Sequence, residues 1–252
     1  MAMRVLLPSQ RLCVAADFKP PPTVAPGDRR NYAEKKLLTL ADNLTGLGVY
    51  LKLNSALRLL GYQILLELHQ RGLLSFADLK LFDIDDTLEI DGLFLAGYHP
   101  NLLTTVCATG VKGMQKLKAE LPSTEVLGVT VLTSLLDSEV NMMFSCATEE
   151  AVLLFAGFAK EAGLDGLVSS AVHVQMLRAG FGTLMSLNTP AIRPKHTIVP
   201  GDGQNPANIM TPTKAIRLGA DRIVVGRPIT QAPNPREAAI RTIDEIAQAM
   251  AA

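Results

Sequence analysis

Asp78, Lys80 and Asp83 lie close together in the stretch DLKLFDIDDT (78–87), among the apolar residues Leu79, Leu81, Phe82 and Ile84. A β-strand has a period of two, so Asp78 and Lys80 share one face while Leu79 points the other way. Alone, such an acid–base pair most often forms a buried salt bridge; inside a cleft it holds opposed charges against a reacting group. Asp83 falls in the following loop, able to fold back or to reach a neighbouring subunit. Lys52, near the end of the apolar run GVYLKLN (48–54), can approach Asp78 from an adjacent strand, and Asp17 ends the run LCVAAD (12–17). With four charges at matching strand ends, a site becomes the better reading.

A second cluster joins TPAIRPKHTIVPGDGQNP (189–206) to ADRIVVGRPIT (220–230). Gly226 lets a ligand approach the backbone closely, Arg227 can grip phosphate oxygens in a bidentate fashion, and Gln204 can close over them. Arg193 lies just beyond a strand candidate, as do Thr133 and Ser134 after another. A Gly-Arg pair alone is a turn, but the Gly- and Pro-rich loop before it favours a phosphate grip. His173 reads as a surface helix residue and His196 as a loop residue.

These residues need a scaffold that presents strand ends together. Strand candidates are 12–17, 48–54, 75–80, 102–108, 125–132, 166–171, 183–190 and 221–227. They are apolar throughout rather than alternating, as parallel strands covered by helices are. Helical periodicity marks 56–72, 109–121, 148–163, 211–219 and 235–250. Eight such units in ~250 residues predict a single-domain (β/α)8 TIM barrel over 1–252, whose functional residues belong at the C-terminal strand ends. A doubly wound open sheet is the alternative, disfavoured because no GxGxxG follows the first strand. The Pro-rich, charged segment 19–36 reads as an extended loop on the catalytic side, a lid or an interface arm.

Composition narrows the function classes. The chain has 252 residues, 48% hydrophobic and 19% charged, with zero formal net charge. That balance offers no basic surplus for nucleic acid. No stretch approaches the ~20 apolar residues of a membrane span, and no secretory signal pattern opens the chain. Cys13, Cys107 and Cys146 are three unpatterned thiols, which points to a reducing cytoplasm. No Cys/His spacing suggests a structural metal.

The stretch at 78–87 resembles the D-x-K-x-x-D-I-x-x-T signature of orotidine 5′-phosphate decarboxylases. VAAD (14–17), YLKLN (50–54), VTVLTS (129–134), TPAIRP (189–194) and IVVGRPIT (223–230) follow the same family's pattern in order. The resemblance implies a cofactor-independent decarboxylase of pyrimidine biosynthesis that makes UMP from orotidine 5′-monophosphate. It makes Lys80 the proton donor to C6 and Lys52, Asp78, Lys80 and Asp83 the charged tetrad. Asp83 and Thr87 would come from the partner in a homodimer. Asp17 would contact ribose, Thr133 or Ser134 the pyrimidine, and Arg193, Gln204, Gly226 and Arg227 the phosphate, with Asn208 as an alternative to Gln204.

The chain departs from the family in several places. Asp85-Asp86 replaces the usual Pro-Asn, so these carboxylates should point outward or pair with a basic residue. Ala191 replaces a glycine, which suits only a backbone without positive φ. Cys107 stands where many members have a barrel-lining His. Two rival readings remain. Magnesium-dependent 3-keto-gulonate 6-phosphate decarboxylases and hexulose phosphate synthases share the strand motif but carry a metal-binding Glu where Lys52 stands. A non-catalytic phosphometabolite-binding barrel is the other.

Overall fold

The computed structural model describes residues 6–197 and 210–251. Gln204 and Asn208 lie outside the described residues. Eight parallel strands close on themselves in sequence order: β1 (Leu12–Ala15), β2 (Tyr50–Leu53), β3 (Leu74–Leu81), β4 (Leu102–Val106), β5 (Glu125–Val129), β6 (Gly166–Val168), β7 (Ser186–Thr189) and β8 (Arg222–Val225). Pairing of β1 with β8, through Val14 and Val225, completes the barrel. The helices are α1 (Arg29–Leu44), α2 (Ser55–Leu60), α3 (Gln63–Gln70), α4 (Asp85–Ala96), α5 (Val111–Glu120), α6 (Asp137–Phe144), α7 (Thr148–Glu161), α8 (Val174–Phe181), α9 (Pro212–Arg217), α10 (Arg227–Thr230) and α11 (Pro235–Ala251). The (β/α)8 expectation therefore holds. No single helix among the described residues is long and apolar enough to cross a membrane.

Strand period two sorts the side chains into two cores. Outward-facing Val14, Leu51, Leu53, Ala77, Leu79, Leu103, Leu167 and Ile223 pack against the helices. Inward-facing Cys13, Tyr50, Phe76, Leu102, Leu127 and Val224 form a separate plug inside the barrel. Below the plug, at the N-terminal strand ends, Arg222 donates to both oxygens of Glu125 (2.8 and 2.7 Å), and Ser186 donates to the same carboxylate. The Arg222 guanidinium carbon lies 5.1 Å from the Tyr50 ring centroid, within cation–π range. Above the plug, at the C-terminal ends, lie Lys52, Asp78 and Thr104.

Several elements differ from the sequence reading, each for a local reason. Segment 56–72 is two helices, because Gly61 at φ +89° ends α2 and α3 begins at Gln63. The apolar spacing continues across the break, so periodicity alone could not find it. The Pro-rich interruption is shorter than 19–36, since α1 starts at Arg29 with the helix-favouring residues Ala33, Glu34, Lys35 and Lys36. Arg30 ties its start to the carbonyls of Leu59 and Leu60. Cys107 does not line the barrel. It packs in the outer core, where a Cβ on Gly128 would come within 2.5 Å of its Sγ. Burial pushes both the Cys13 and the Cys107 thiol up to about 12, which makes them poor nucleophiles.

Ala191 contradicts its expectation: it sits at φ +63°, in the left-handed region that costs an L-residue with a Cβ about 1–2 kcal/mol. Glycine relieves that clash at the expense of a more mobile unfolded chain. Ala191→Gly should therefore raise stability by roughly 0.5–1 kcal/mol, seen as a rise of about 1–4 °C in thermal midpoint. An unchanged or lowered midpoint would show that the loop holds this geometry without strain.

Candidate active site

The barrel mouth gathers charge on one carboxylate. Asp78 projects inward from β3, and its side chain is only 8% exposed. Its Oδ2 accepts from Lys52 Nζ at 2.8 Å and from Lys80 Nζ at 2.7 Å, while Oδ1 accepts from Thr104 Oγ1 at 3.0 Å. Lys52 also lies 3.7 Å from Asp17. Burial opposes ionisation of Asp78, but the two ammonium groups outweigh it and hold the carboxyl below the ordinary aspartate range. Lys52, Asp78, Lys80 and Asp17 thus form one connected group, as their spacing suggested.

Asp17 has a second task. Its carboxylate accepts the backbone N–H groups of Asn54 (3.1 Å) and Ala56 (2.9 Å), capping α2 from a neighbouring strand end. An anion is favourable at that position because the first N–H groups of a helix lack intrahelical partners.

Asp83 is not brought into the group within the single chain. Its Oδ1 accepts the N–H of Ile84 at 2.8 Å, and Thr109 Oγ1 donates to its carbonyl at 2.6 Å. Lys80 and Asp83 nevertheless line the same cavity of about 550 Å³, with Arg58, Tyr62 and Asp91. Burial, then the nearby Asp83, pushes the Asp91 carboxyl above its usual range.

Asp85 and Asp86 open α4, where the helix dipole favours acidic residues. Lys112 reaches Asp85 at 2.6 Å, and Lys116 reaches Asp86 at 2.6 Å and Glu89 at 2.7 Å. Both carboxylates are therefore paired with bases on α5, as expected. Thr87 is the next residue in that first turn and half-buried.

The remaining site residues lie in loops around the mouth. β5 ends at Val129, three residues earlier than expected, so Thr133 and Ser134 are exposed in the loop before α6. Gly226 follows β8 as the N-cap of α10, with φ −107°. A Cβ added there would meet only the Ala15 Cβ, at 3.7 Å, so the space beside it is open. Arg227 lines a cavity of about 420 Å³ with His196, Gln231 and Arg241. Burial, then the charge of Arg241, lowers the His196 pKa. Arg193 is half-buried, and its backbone N–H donates to Met210 O at 3.0 Å.

Sequence reasoning missed Thr104, Asn54 and Arg58. Thr104 carried a usable signal: it is the polar residue at an inward position of β4, two after Leu102. Asn54 and Arg58 gave none, because the partners that tie them to β3 are the backbone carbonyls of Asp78 and Leu79. No group of three or more His, Cys, Asp or Glu side chains is gathered as a metal site among the described residues.

The chain matches the model of the orotidine 5′-phosphate decarboxylase / HUMPS family over residues 10–242. It is 41% identical over 186 residues to an orotidine 5′-phosphate decarboxylase of Staphylococcus aureus (strain Newman), covering 70% of this chain and 78% of that one. A protein of the same name from Syntrophus aciditrophicus (strain SB) is 35% identical over 216 residues, covering 81% and 84%. The crystal structure of orotidine 5′-phosphate decarboxylase from Lactobacillus acidophilus superimposes with a TM-score of 0.73 at 28% identity, covering 94% of this chain and 99% of that one.

The depressed Asp78 pKa sets a pH window. A carboxyl whose folded pKa lies below its unfolded value, ordinarily ~3.9, adds stability that is present above that value. The contribution is lost as pH falls through the folded pKa. The difference in unfolding free energy between the wild type and Asp78→Asn should be flat from about pH 7 to 5 and shift towards the variant below about pH 4. Denaturant titrations across that range measure it, and a difference that stays constant to pH 2 would contradict the double ion pair.

Proposed function

Because the chain belongs to the orotidine 5′-phosphate decarboxylase / HUMPS family, we propose that it converts orotidine 5′-monophosphate and a proton to UMP and CO2 without a cofactor. The observation that carries this reading is the buried carboxylate of Asp78, clamped between Lys52 and Lys80 at the barrel mouth. Breaking the bond from C6 to the carboxylate leaves an electron pair on C6. An ammonium beside that carbon stabilises the developing carbanion and then transfers its proton to it, which is the role of Lys80. Asp78 holds Lys80 and Lys52 in place. Facing the substrate carboxylate at about 4 Å, Asp78 would also repel it by about 4 kcal/mol at an effective dielectric of ~20.

The site is completed by a second copy of the chain, which supplies Asp83 and Thr87. Phe82 and Ile84 flank Asp83 and are 65% and 68% exposed, and Ile90, Leu93 and Phe94 make an exposed apolar face on α4. Apolar surface of this kind around a charged residue fits a subunit contact. Asp17 contacts ribose, and Thr133 or Ser134 the pyrimidine. Gly226, Arg227 and Arg193 take the phosphate, with Gln204 closing over it. The open space beside Gly226 leaves room for a ligand to approach the backbone, which supports this reading. Phosphate binding holds the pyrimidine against the charges, so the remote contact contributes to turnover. The enzyme so read is a cytoplasmic homodimer. Nothing favours the magnesium-dependent relatives, since the inward position at the end of β2 is an ion-paired lysine.

Ultraviolet spectroscopy of orotidine 5′-monophosphate should show turnover that survives EDTA and falls by at least about a thousandfold in Lys80→Ala. Absence of turnover by well-folded protein would sink the assignment. Equal amounts of Lys80→Ala and Asp83→Ala chains, unfolded and refolded together, should recover about a quarter of wild-type activity, because half of randomly paired C2 dimers hold one intact site. Recovery near zero would place Asp83 in its own chain's site.

A further inference from the structure

β3 leaves the sheet where it matters most. It pairs with β4 at Ala77↔Leu103 and again at Leu81↔Thr105, so four residues of β3 advance against two of β4. On the other side β2 ends at the Leu53↔Ala77 pair. Asp78, Leu79 and Lys80 therefore lie outside both ladders, and Lys80 adopts φ +50°, which a lysine does not take unless its surroundings impose it.

Buried backbone groups released from a ladder need other partners. Here side chains supply them. Asn54 Nδ2 donates to the Asp78 carbonyl at 2.7 Å, Arg58 donates to the Leu79 carbonyl, and Thr105 Oγ1 donates to the Leu81 carbonyl at 2.9 Å. Thr104 Oγ1 accepts the Lys80 N–H at 2.9 Å and donates a hydrogen bond to the Asp78 carboxylate at 3.0 Å. Arg58 also donates to Asn54 Oδ1 at 3.1 Å, which turns the amide so that its nitrogen faces the Asp78 carbonyl.

We infer that Arg58, Asn54 and Thr104 are positioning residues that hold the break in β3 and thereby aim the Lys80 ammonium into the site. This rests on the reading of Lys80 as the proton donor. A two-residue bulge without these anchors can relax to regular pairing, which carries Lys80 from beside Thr104 to the level of Val106 and so displaces its ammonium from Asp78. The anchor most suited to test is Arg58, which is exposed and absent from the proposed chemistry.

Arg58→Met keeps the aliphatic stem and removes the donors. Its kcat should fall about ten- to a hundredfold with KM within about twofold, because the substrate still binds while the proton donor is misaimed. Arg58→Lys, which restores one donor to the Leu79 carbonyl, should recover most of the loss. Hydrogen exchange in Arg58→Met should accelerate in a peptide spanning 78–81 and stay unchanged in the other strands. An unchanged kcat, a loss confined to KM, or exchange that rises throughout the barrel would each overturn the inference. Near-wild-type turnover by Lys80→Ala is a separate failure: it removes the proton-donor reading, while the exchange result still reports whether Arg58 holds the break.

Discussion

Everything at the barrel mouth depends on keeping one carboxylate ionised where it is almost out of water. A lone buried carboxylate neutralises itself by taking a proton. Asp78 stays charged because two ammonium groups and a hydroxyl share its two oxygens. The arrangement also fixes the lysines, since each gives up rotamer freedom to reach the same acceptor. Those three side chains come from β2 and β3, and the hydroxyl from β4, so neighbouring parallel strands that share an inward face bring them together. Lys52, Lys80, Asp17 and Asp78 sum to no net charge, yet Asp17 is largely occupied by the N-terminus of α2.

The loop after β3 is held by a different kind of interaction. Gly113 lets α5 approach α4 closely, for a Cβ there would lie 2.8 Å from Leu88 Cδ1. Lys112 and Lys116 then reach across to three acidic side chains in the first turns of α4. These pairs are solvent-exposed, and exposed pairs contribute little to global stability. Their effect is local: they fix where α4 begins, and so where Phe82, Asp83 and Ile84 emerge. Where the family more often has Pro-Asn, this chain starts the helix with charge.

The sequence made the barrel legible because parallel strands buried on both sides are apolar throughout, and eight such runs survive uncertainty at their ends. Asp78, Lys80, Lys52 and Asp17 were legible for a related reason: an ionisable residue at the end of an apolar strand has few purposes. What stayed hidden depends on backbone geometry. The positive φ at Ala191 contradicts the identity of the residue occupying it. The break after Ala77 leaves period two apparently intact, since Asp78 and Lys80 meet despite an irregular strand between them. The split of α2 from α3 hides inside an unbroken apolar spacing. Asn54 and Arg58 bond to carbonyls, which every residue possesses, so nothing in their spacing reveals the partner. Asp83 is legible as an exposed loop acid, but no single chain contains the company it keeps in the proposed dimer.

The lower half of the barrel interior gives the mouth its character. Arg222 and Glu125 neutralise one another at the bottom, and Cys13, Phe76, Leu102, Leu127 and Val224 fill the space above them with apolar groups. Among the described residues these two layers close the barrel from below, so the mouth is a well with a largely apolar floor and its opening at the C-terminal strand ends.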